Sequence, residues 1–137
     1  MTETNDNLAV IEAFAAAGLA GDFAALAALM HPDFVVQQAP GLPYGGDHRG
    51  AAGFGAMFGA MQAAWRQISL SQLGVIGERT GDTFALHMRV EGVDANGAPI
   101  ASEVLERWVV RDGKIAEIQP FYWDTAALAA QLERPVA

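Results

Sequence analysis

One carboxylate stands among apolar residues in the segment EVLERWVV, residues 103–110. The valines, leucine and tryptophan predict a β-strand, in which successive side chains point to opposite faces. Glu106 then shares its face with Val104, Trp108 and Val110. Burial on an apolar face raises the pKa of a carboxyl group and can keep it protonated as a hydrogen-bond donor. Glu106 is therefore a candidate catalytic acid; the alternative is an ion-paired or solvated residue at a strand end.

A second candidate for proton transfer lies in the glycine- and proline-rich segment APGLPYGGDHRGAAG, residues 39–53. Histidine can act as an acid and as a base near neutral pH, which makes His48 a candidate catalytic base. Tyr44 lies in the same predicted loop and is a candidate for binding a ligand. The alternatives are that His48 is a surface residue and that Tyr44 anchors the loop.

Other kinds of site have little support in this sequence. The three histidines lack the spacing of metal ligands, and the absence of cysteine excludes thiolate ligands, disulfides and cysteine nucleophiles. The glycines of GLPYGGDHRG lack the Lys-Ser/Thr ending of a phosphate-binding loop. No serine lies in a nucleophile-elbow motif. We therefore expect neither a metal ion nor a cofactor.

Composition and charge narrow the class of protein. With 137 residues, 52% of them hydrophobic and 18% charged, the chain is expected to form one globular domain over residues 1–137. The net charge of −8 argues against nucleic acid and anionic membranes as partners. The N-terminal MTETNDNLAV has neither the basic start nor the apolar block of a signal peptide, and no apolar run reaches membrane-spanning length. A cytoplasmic protein is expected.

The elements that position the candidate residues change in kind along the chain. Apolar spacing predicts helices over 5–20, 23–30 and 52–65, and a β-branched run predicts a strand over 33–38. Turn signals separate four further strands, predicted over 68–78, 82–93, 100–111 and 114–123, before a last helix over 125–132. Short connections imply an antiparallel meander. The prediction is an α+β domain whose curved antiparallel sheet packs on three N-terminal helices and can leave a central pocket.

Three stretches carry a resemblance to a known group of proteins: FAAAGLAGDFAALAALMHPDFVV, PYGGDHRG and WVVRDGKIAEIQPFYWDTAAL. Over nearly the whole chain, the sequence resembles the nuclear transport factor 2-like superfamily in its SnoaL-like and ketosteroid-isomerase-like branch. The resemblance implies a cone with a deep apolar pocket, commonly in a homodimer, with Tyr44 and His48 near the pocket's mouth. The resemblance does not identify one activity, because this fold hosts isomerases, cyclases, epoxide hydrolases, dehydratases and binding modules.

The functional residues of the isomerases are only partly present. Those enzymes use an aspartate base and an oxyanion hole made of a tyrosine and a protonated aspartic acid. The resemblance places the base at Gln38, the tyrosine at Phe14 and the second acid at Glu106. An amide is not a usable base and a phenyl ring has no donor, so steroid isomerisation itself is not expected. Only the position of the second acid keeps its chemistry.

Two functions are consistent with these residues. The first is a small cofactor-independent enzyme acting on a hydrophobic carbonyl-containing or polycyclic metabolite, by isomerisation, cyclisation or hydration, with Glu106 and His48 as catalytic groups. The alternative is a non-catalytic small-molecule-binding or interaction module on the same fold, favoured by the missing base and tyrosine. The residues expected to bind the hydrophobic ligand, any of which could instead be ordinary core, are Gln38, Tyr44, Phe14, Phe54, Phe58, Trp65, Trp108, Tyr122 and Trp123.

The second face of the predicted sheet is polar. Strand alternation places five charged or titratable side chains there: His87, Arg89, Glu91, Glu103 and Arg107. This face is predicted to be solvated or to form the contact between two subunits. Together with the resemblance, it leads us to expect a homodimer.

Overall fold

The computed structural model describes residues 6–134, so residues 1–5 and 135–137 of the predicted domain lie outside it. The elements follow one another as α1 (Asn7–Ala20), α2 (Phe23–Ala28), β1 (Met30–Gln38), β2 (Gly46–Arg49), α3 (Gly50–Ala64), β3 (Trp65–Ile76), β4 (Thr83–Asp94), β5 (Pro99–Arg111), β6 (Lys114–Tyr122) and α4 (Thr125–Leu132). The strands form one curved, open sheet in the order β2-β1-β6-β5-β4-β3. The predicted α+β class is confirmed.

The helices begin where the sequence offers an acceptor for their free backbone N–H groups. Asp6, Asp22 and Asp124 precede α1, α2 and α4, and each carboxylate accepts a hydrogen bond from the N–H three residues further on, at 3.0 to 3.1 Å. Gly21 ends α1 with a φ of 66°, a left-handed conformation that glycine adopts without steric cost. The chain can therefore turn directly from α1 into α2.

Strands β3 to β6 form the predicted antiparallel meander, and the remaining two strands extend it. One pair departs from the antiparallel pattern, because β1 lies parallel to β6. The segment predicted to be a loop contains a further strand, β2, in which His48 lies opposite Val36 of β1. The four residues of β2, GDHR, have little intrinsic strand preference, so pairing with β1 decides their conformation. Trp65, predicted to end a helix, is the first residue of β3.

The two faces of the sheet differ as the alternation predicts. The face covered by the helices, called the inner face below, carries buried side chains such as Leu86, Val104 and Trp108, which join the core with residues of α1, α2 and α3. The opposite, outer face carries the predicted polar residues, and His87 Nε2 lies 3.4 Å from Glu103 Oε1. The inner face is thus the side on which an interior site can form.

Candidate functional site

Glu106 lies in the middle of β5 on the inner face, between Leu86 of β4 and Pro120 of β6. Trp108, the next residue of β5 on that face, donates its indole N–H to Glu106 Oε1 at 3.1 Å. Glu106 Oε2 accepts no hydrogen bond from the described residues. Part of the side chain remains exposed, yet protein atoms surround the carboxylate. This burial raises the pKa of Glu106 to about 7, and the bond from Trp108 opposes the rise.

A carboxyl group with a pKa of about 7 is populated in both protonation states at neutral pH. The protonated form can donate a proton, and the carboxylate can accept one. General acid–base catalysis is most effective when the pKa of the group lies near the working pH. Glu106 therefore has the ionisation behaviour that such catalysis requires.

Replacing Trp108 with phenylalanine is expected to raise the pKa of Glu106 further. The change removes the indole N–H that stabilises the carboxylate but keeps an aromatic ring beside Phe14, whose ring centroid lies 5.4 Å from that of Trp108. An NMR titration of the Glu106 side-chain carboxyl carbon would measure the change. Trp65→Phe is the matched control, because the Trp65 indole bonds to Tyr44 instead, and it should leave the titration of Glu106 nearly in place. A lower pKa in Trp108→Phe would contradict the assignment.

Two sets of hydrogen-bonded side chains, together called the hydrogen-bond chain below, lie next to each other in the interior at one end of the sheet. The Tyr122 hydroxyl donates to Gln38 Oε1 at 2.7 Å, and Gln38 Nε2 lies 3.6 Å from the sulfur of Met57 in α3. The hydroxyls of Tyr122 and Tyr44 are neighbours, and each shifts the pKa of the other. Trp65 Nε1 donates to the Tyr44 hydroxyl at 3.4 Å. The chain thus links β1, the β1–β2 loop, α3, β3 and β6.

The topology explains why these residues meet. Gln38 is the last residue of β1 and Tyr122 the last residue of β6, and the two strands run parallel, so both ends lie at the same edge of the sheet. Trp65 begins β3 at that same edge, because β3 runs antiparallel to β6 through the alternating meander. Tyr44 lies in the loop that leaves β1 there. Residues 84 positions apart are thereby brought into direct contact.

The environment keeps both tyrosines protonated. Burial raises the pKa of Tyr122, and the neighbouring Tyr44 hydroxyl and the Glu106 carboxylate raise it further, whereas the bond to Gln38 acts in the opposite direction. Burial also raises the pKa of Tyr44, opposed by its hydrogen bond with Trp65 and by the neighbouring Tyr122 hydroxyl. The effect of Glu106 on Tyr122 indicates that the carboxyl group and the hydrogen-bond chain belong to one electrostatic environment.

An aromatic cluster packs around Trp108, the residue that donates to Glu106. The ring centroid of Phe14 lies 5.9 Å from that of Phe54, and Phe54 in turn lies 4.9 Å from Phe58. These pairs meet edge to face, as does the contact of Phe14 with Trp108. Four of the predicted ligand-binding aromatic residues therefore form one cluster, and one of them, Trp108, contacts Glu106.

Two of the predicted site residues lie elsewhere. Trp123 is 87% exposed, in the turn that joins the end of β6 to α4. His48 is half-buried on β2, and its Nε2 lies 2.8 Å from the backbone carbonyl of Tyr44. Since a carbonyl can only accept, Nε2 carries the proton and Nδ1 is the nitrogen able to accept one. No hydrogen bond or ion pair among the described residues joins His48 to Glu106.

Met57 belongs to the hydrogen-bond chain but was not among the site residues expected from the sequence. It lies three residues after Phe54 on α3 and is buried. The helical spacing of Phe54, Met57, Phe58 and Met61 was a usable signal, because it places these side chains on one face of the helix. The choice of Met57 as the neighbour of Gln38 depends on how α3 packs on β1.

Two grooves stand out on the surface, and neither is lined by Glu106 or by the hydrogen-bond chain. One, of about 520 Å³, lies over β3, β4 and β5 and includes Arg89 and Pro99. The other, of about 350 Å³, lies beside α4 and includes Trp123 and Leu128. Across residues 6–134, no group of three or more His, Asp or Glu could hold a metal ion, and no helix has the length and apolar character to cross a membrane. The pocket inside the cone stays a prediction.

Comparison with known proteins places the fold in a family. No curated protein matches the chain in sequence. An NTF2-like protein from Burkholderia thailandensis superposes with a TM-score of 0.83 at 23% identity, over 96% of this chain and 99% of that one. TerC, crystallised with polyporic acid, superposes with a TM-score of 0.82 at 22% identity, over 95% and 100%. A protein designated a SnoaL-like polyketide cyclase, from Jannaschia sp. CCS1, gives 0.75 at 14% identity, over 98% of each chain.

The sequence match agrees with these structures. The family model of the SnoaL-like domain matches residues 10–118, a span that runs from α1 into β6 and includes Gln38, Tyr44 and Glu106. The neighbours, all below 25% identity, share the fold. The chain belongs to the SnoaL-like family, and its fold is that of the NTF2-like proteins.

Proposed function

We propose that this protein is a cofactor-independent enzyme that uses Glu106 to transfer a proton to or from a hydrophobic, carbonyl-containing or polycyclic metabolite. The observation that carries the proposal is a carboxyl group in the middle of β5 on the inner face, bonded to the Trp108 indole, where burial raises its pKa to about 7. Keeping an ionisable group in such surroundings is unfavourable for folding, and strongly perturbed carboxyl groups cluster at functional sites. The aromatic cluster supplies apolar surface, and the Tyr122 hydroxyl supplies a polar anchor.

The chemistry follows from the two states of Glu106. As a carboxylate, it takes a proton from the carbon next to a ligand carbonyl, and the electron pair of that C–H bond forms an enolate. The protonated Glu106 then returns the proton to the same carbon or to a conjugated one, which exchanges or isomerises the ligand without a cofactor. Its free Oε2 is the atom available for this transfer. His48, through Nδ1, remains the candidate for a second base.

The structural neighbours support the ligand class only in outline. TerC holds polyporic acid and another neighbour is designated a polyketide cyclase, so the fold accommodates ligands of this kind. At 22% and 14% identity these proteins share the fold with this chain, and their activities do not follow from the fold. The proposal therefore rests on the environment of Glu106.

Proton exchange provides a direct test of this proposal. The aromatic ketones tetralone and indanone would be incubated with the protein in D₂O, and loss of the α-proton signals followed by NMR. We expect the wild-type protein to accelerate exchange, with a rate that rises through a pH near 7 as Glu106 ionises, and Glu106→Gln to lose the acceleration. Trp123→Phe is the control, because this exposed side chain lies away from the site. Unchanged exchange in Glu106→Gln would place the chemistry elsewhere.

The alternative function is a binding module without chemistry. Two observations favour it: the position of the isomerase base holds an amide already bonded to Tyr122, and neither surface groove reaches Glu106. Saturable binding of the ketones with no exchange by the wild-type protein would support this alternative. Exchange that depends on Glu106 would exclude it.

We further propose that the protein forms a homodimer through the outer face of the sheet. Leu105 and Phe121 are directly opposite each other on β5 and β6, and they are 47% and 55% exposed. Charged side chains of both signs surround this pair, including Glu103 and Arg107. Paired apolar residues inside a mixed-charge rim are typical of interfaces between subunits.

Placing charge on this apolar pair is expected to separate the subunits. In Leu105→Lys/Phe121→Lys, two ammonium groups from each chain would be forced into the interface without partners. Sedimentation velocity should show a dimer for the wild-type chain and a 14.5 kDa monomer for the variant. Leu19→Lys, at an 84% exposed position of α1, is the control and should sediment like the wild-type protein. A wild-type monomer at micromolar concentration would refute the dimer.

A further inference from the structure

We propose that Tyr122 is the hydrogen-bond donor that selects ligands carrying a carbonyl or enolate oxygen, and that Gln38 occupies the ligand's place on this donor in the free protein. The inference deepens the proposed function and rests on it, since the ligand must lie beside Glu106. It assigns Tyr122 as a specificity-determining residue. It also gives a role to the Gln38 amide at the end of β1.

The direction of the hydrogen-bond chain follows from the number of protons available. The indole N–H of Trp65 can only donate, and Gln38 Oε1 can only accept. A tyrosine hydroxyl carries one proton. Tyr122 gives its proton to Gln38, while Tyr44 accepts the N–H of Trp65. The Tyr122 hydroxyl therefore donates at the place where a ligand oxygen would bind.

Tyr122 makes a well-formed hydrogen bond to Gln38. The 2.7 Å separation between Tyr122 Oη and Gln38 Oε1 is the usual length of an O–H···O hydrogen bond. Because the pKa of both tyrosines is raised, Tyr122 acts as a hydrogen-bond donor and not as a base.

Gln38 is the residue of the hydrogen-bond chain that a ligand can displace most readily. Apart from its bond with Tyr122, its amide contacts the sulfur of Met57 at 3.6 Å, and thioether sulfur is a weak acceptor. The side chains of Gln38 and Met57 are both unbranched and can adopt other rotamers, whereas the tyrosine rings are held within the core. A ligand oxygen can therefore replace the amide oxygen without displacing the Tyr122 ring.

The position of Tyr122 suits a ligand that reacts at Glu106. Across the β5–β6 pair, Val104 lies opposite Tyr122 and Glu106 opposite Pro120, so Glu106 and Tyr122 are diagonal neighbours on the inner face. Such neighbours are about 7–8 Å apart, a distance that long side chains span. A carbonyl oxygen held by Tyr122 places the adjacent carbon within reach of Glu106. The site thus fits an aromatic or alicyclic ketone that forms an enolate.

The test compares a ketone with the hydrocarbon of the same shape. Dissociation constants for tetralone and tetralin would be measured by ligand-observed NMR titration on the wild-type chain and on three variants. In Tyr122→Phe, we expect the preference for tetralone to fall by about tenfold, the effect of losing one buried hydrogen bond, while tetralin binding stays the same. Unchanged tetralin binding also shows that the variant is folded.

Two further variants give effects of opposite sign. Gln38→Leu should bind tetralone more tightly, by up to about tenfold, because Tyr122 then has no internal acceptor. Tyr44→Phe should lose at most part of the preference, since the direct donor, Tyr122, remains. Weaker tetralone binding in Gln38→Leu would identify Gln38 as the binding group and overturn the inference.

The outcomes separate this inference from the proposed function. A tetralone preference that survives in Tyr122→Phe but is lost in Glu106→Gln would make Glu106 the donor; the inference would fail and the proposed enzyme would stand. Failure of both ligands to bind the wild-type chain would overturn the inference and the proposed enzyme together. Loss of the preference in Tyr122→Phe with tighter ketone binding in Gln38→Leu would establish the donor, whatever the exchange assay gives.

Discussion

Replacing Glu106 with glutamine is expected to make the protein more stable at pH 8, by at most about 3 kcal/mol. The folded protein holds the pKa of Glu106 at about 7, above its ordinary value of 4.5. Between these two values the folded chain binds more protons than the unfolded chain, so the free energy of unfolding of the wild-type protein falls as the pH rises. Glutamine has the shape of the protonated acid, still accepts the Trp108 N–H and never ionises.

Urea unfolding at pH 5 and at pH 8 would measure this effect. The wild-type protein should lose stability between the two values, and the difference between variant and wild type should be small at pH 5 and large at pH 8. Glu103→Gln is the matched control, because this exposed carboxylate lies on the same strand but points to the outer face; its effect should be small at both values. Equal pH dependence in wild type and Glu106→Gln would mean that the carboxyl group is solvated.

Removing the ring of Phe14 is expected to cost about 3–5 kcal/mol of stability. Phe14 is buried and its ring contacts those of Phe34, Phe54 and Trp108. Phe14→Ala removes these contacts and leaves a cavity that the surrounding side chains fill only in part. The loss is a large share of the roughly 5–15 kcal/mol that stabilises an ordinary domain.

The size of this loss also reports whether the interior is filled. Phe23→Ala is the control, since Phe23 is partly exposed and contacts the cluster through Phe54; it should cost about 1 kcal/mol. Thermal or urea unfolding gives both values. A loss in Phe14→Ala as small as in the control would show that the Phe14 ring lines open space. In that case the predicted pocket would already be formed beside Trp108.

Several features could be predicted because they depend on local rules. The two-residue period of a strand places Glu106 with Val104 and Trp108, and neither the register nor the partner strand alters that assignment. The turn signals Ala95–Gly97 and Asp112–Gly113 mark the hairpins of the meander for the same reason, since short turns are set by a few residues. The helical spacing of Phe54, Met57 and Phe58 likewise predicts which side of α3 is buried.

The partners of these residues were decided by the tertiary structure. The parallel pairing of β1 with β6 brings Gln38 to Tyr122 across 84 positions of the chain, and β2 exists because β1 offers it an edge. The packing of α3 gives Gln38 its contact with Met57, and β2 directs His48 to the Tyr44 carbonyl. A hydrogen bond or a pKa depends on which groups lie close to an atom in space. The sequence names those groups but does not give the distances between residues that are far apart along the chain. Glu106 could thus be chosen from the sequence, while its donor, its pKa and its neighbour Tyr122 required the fold.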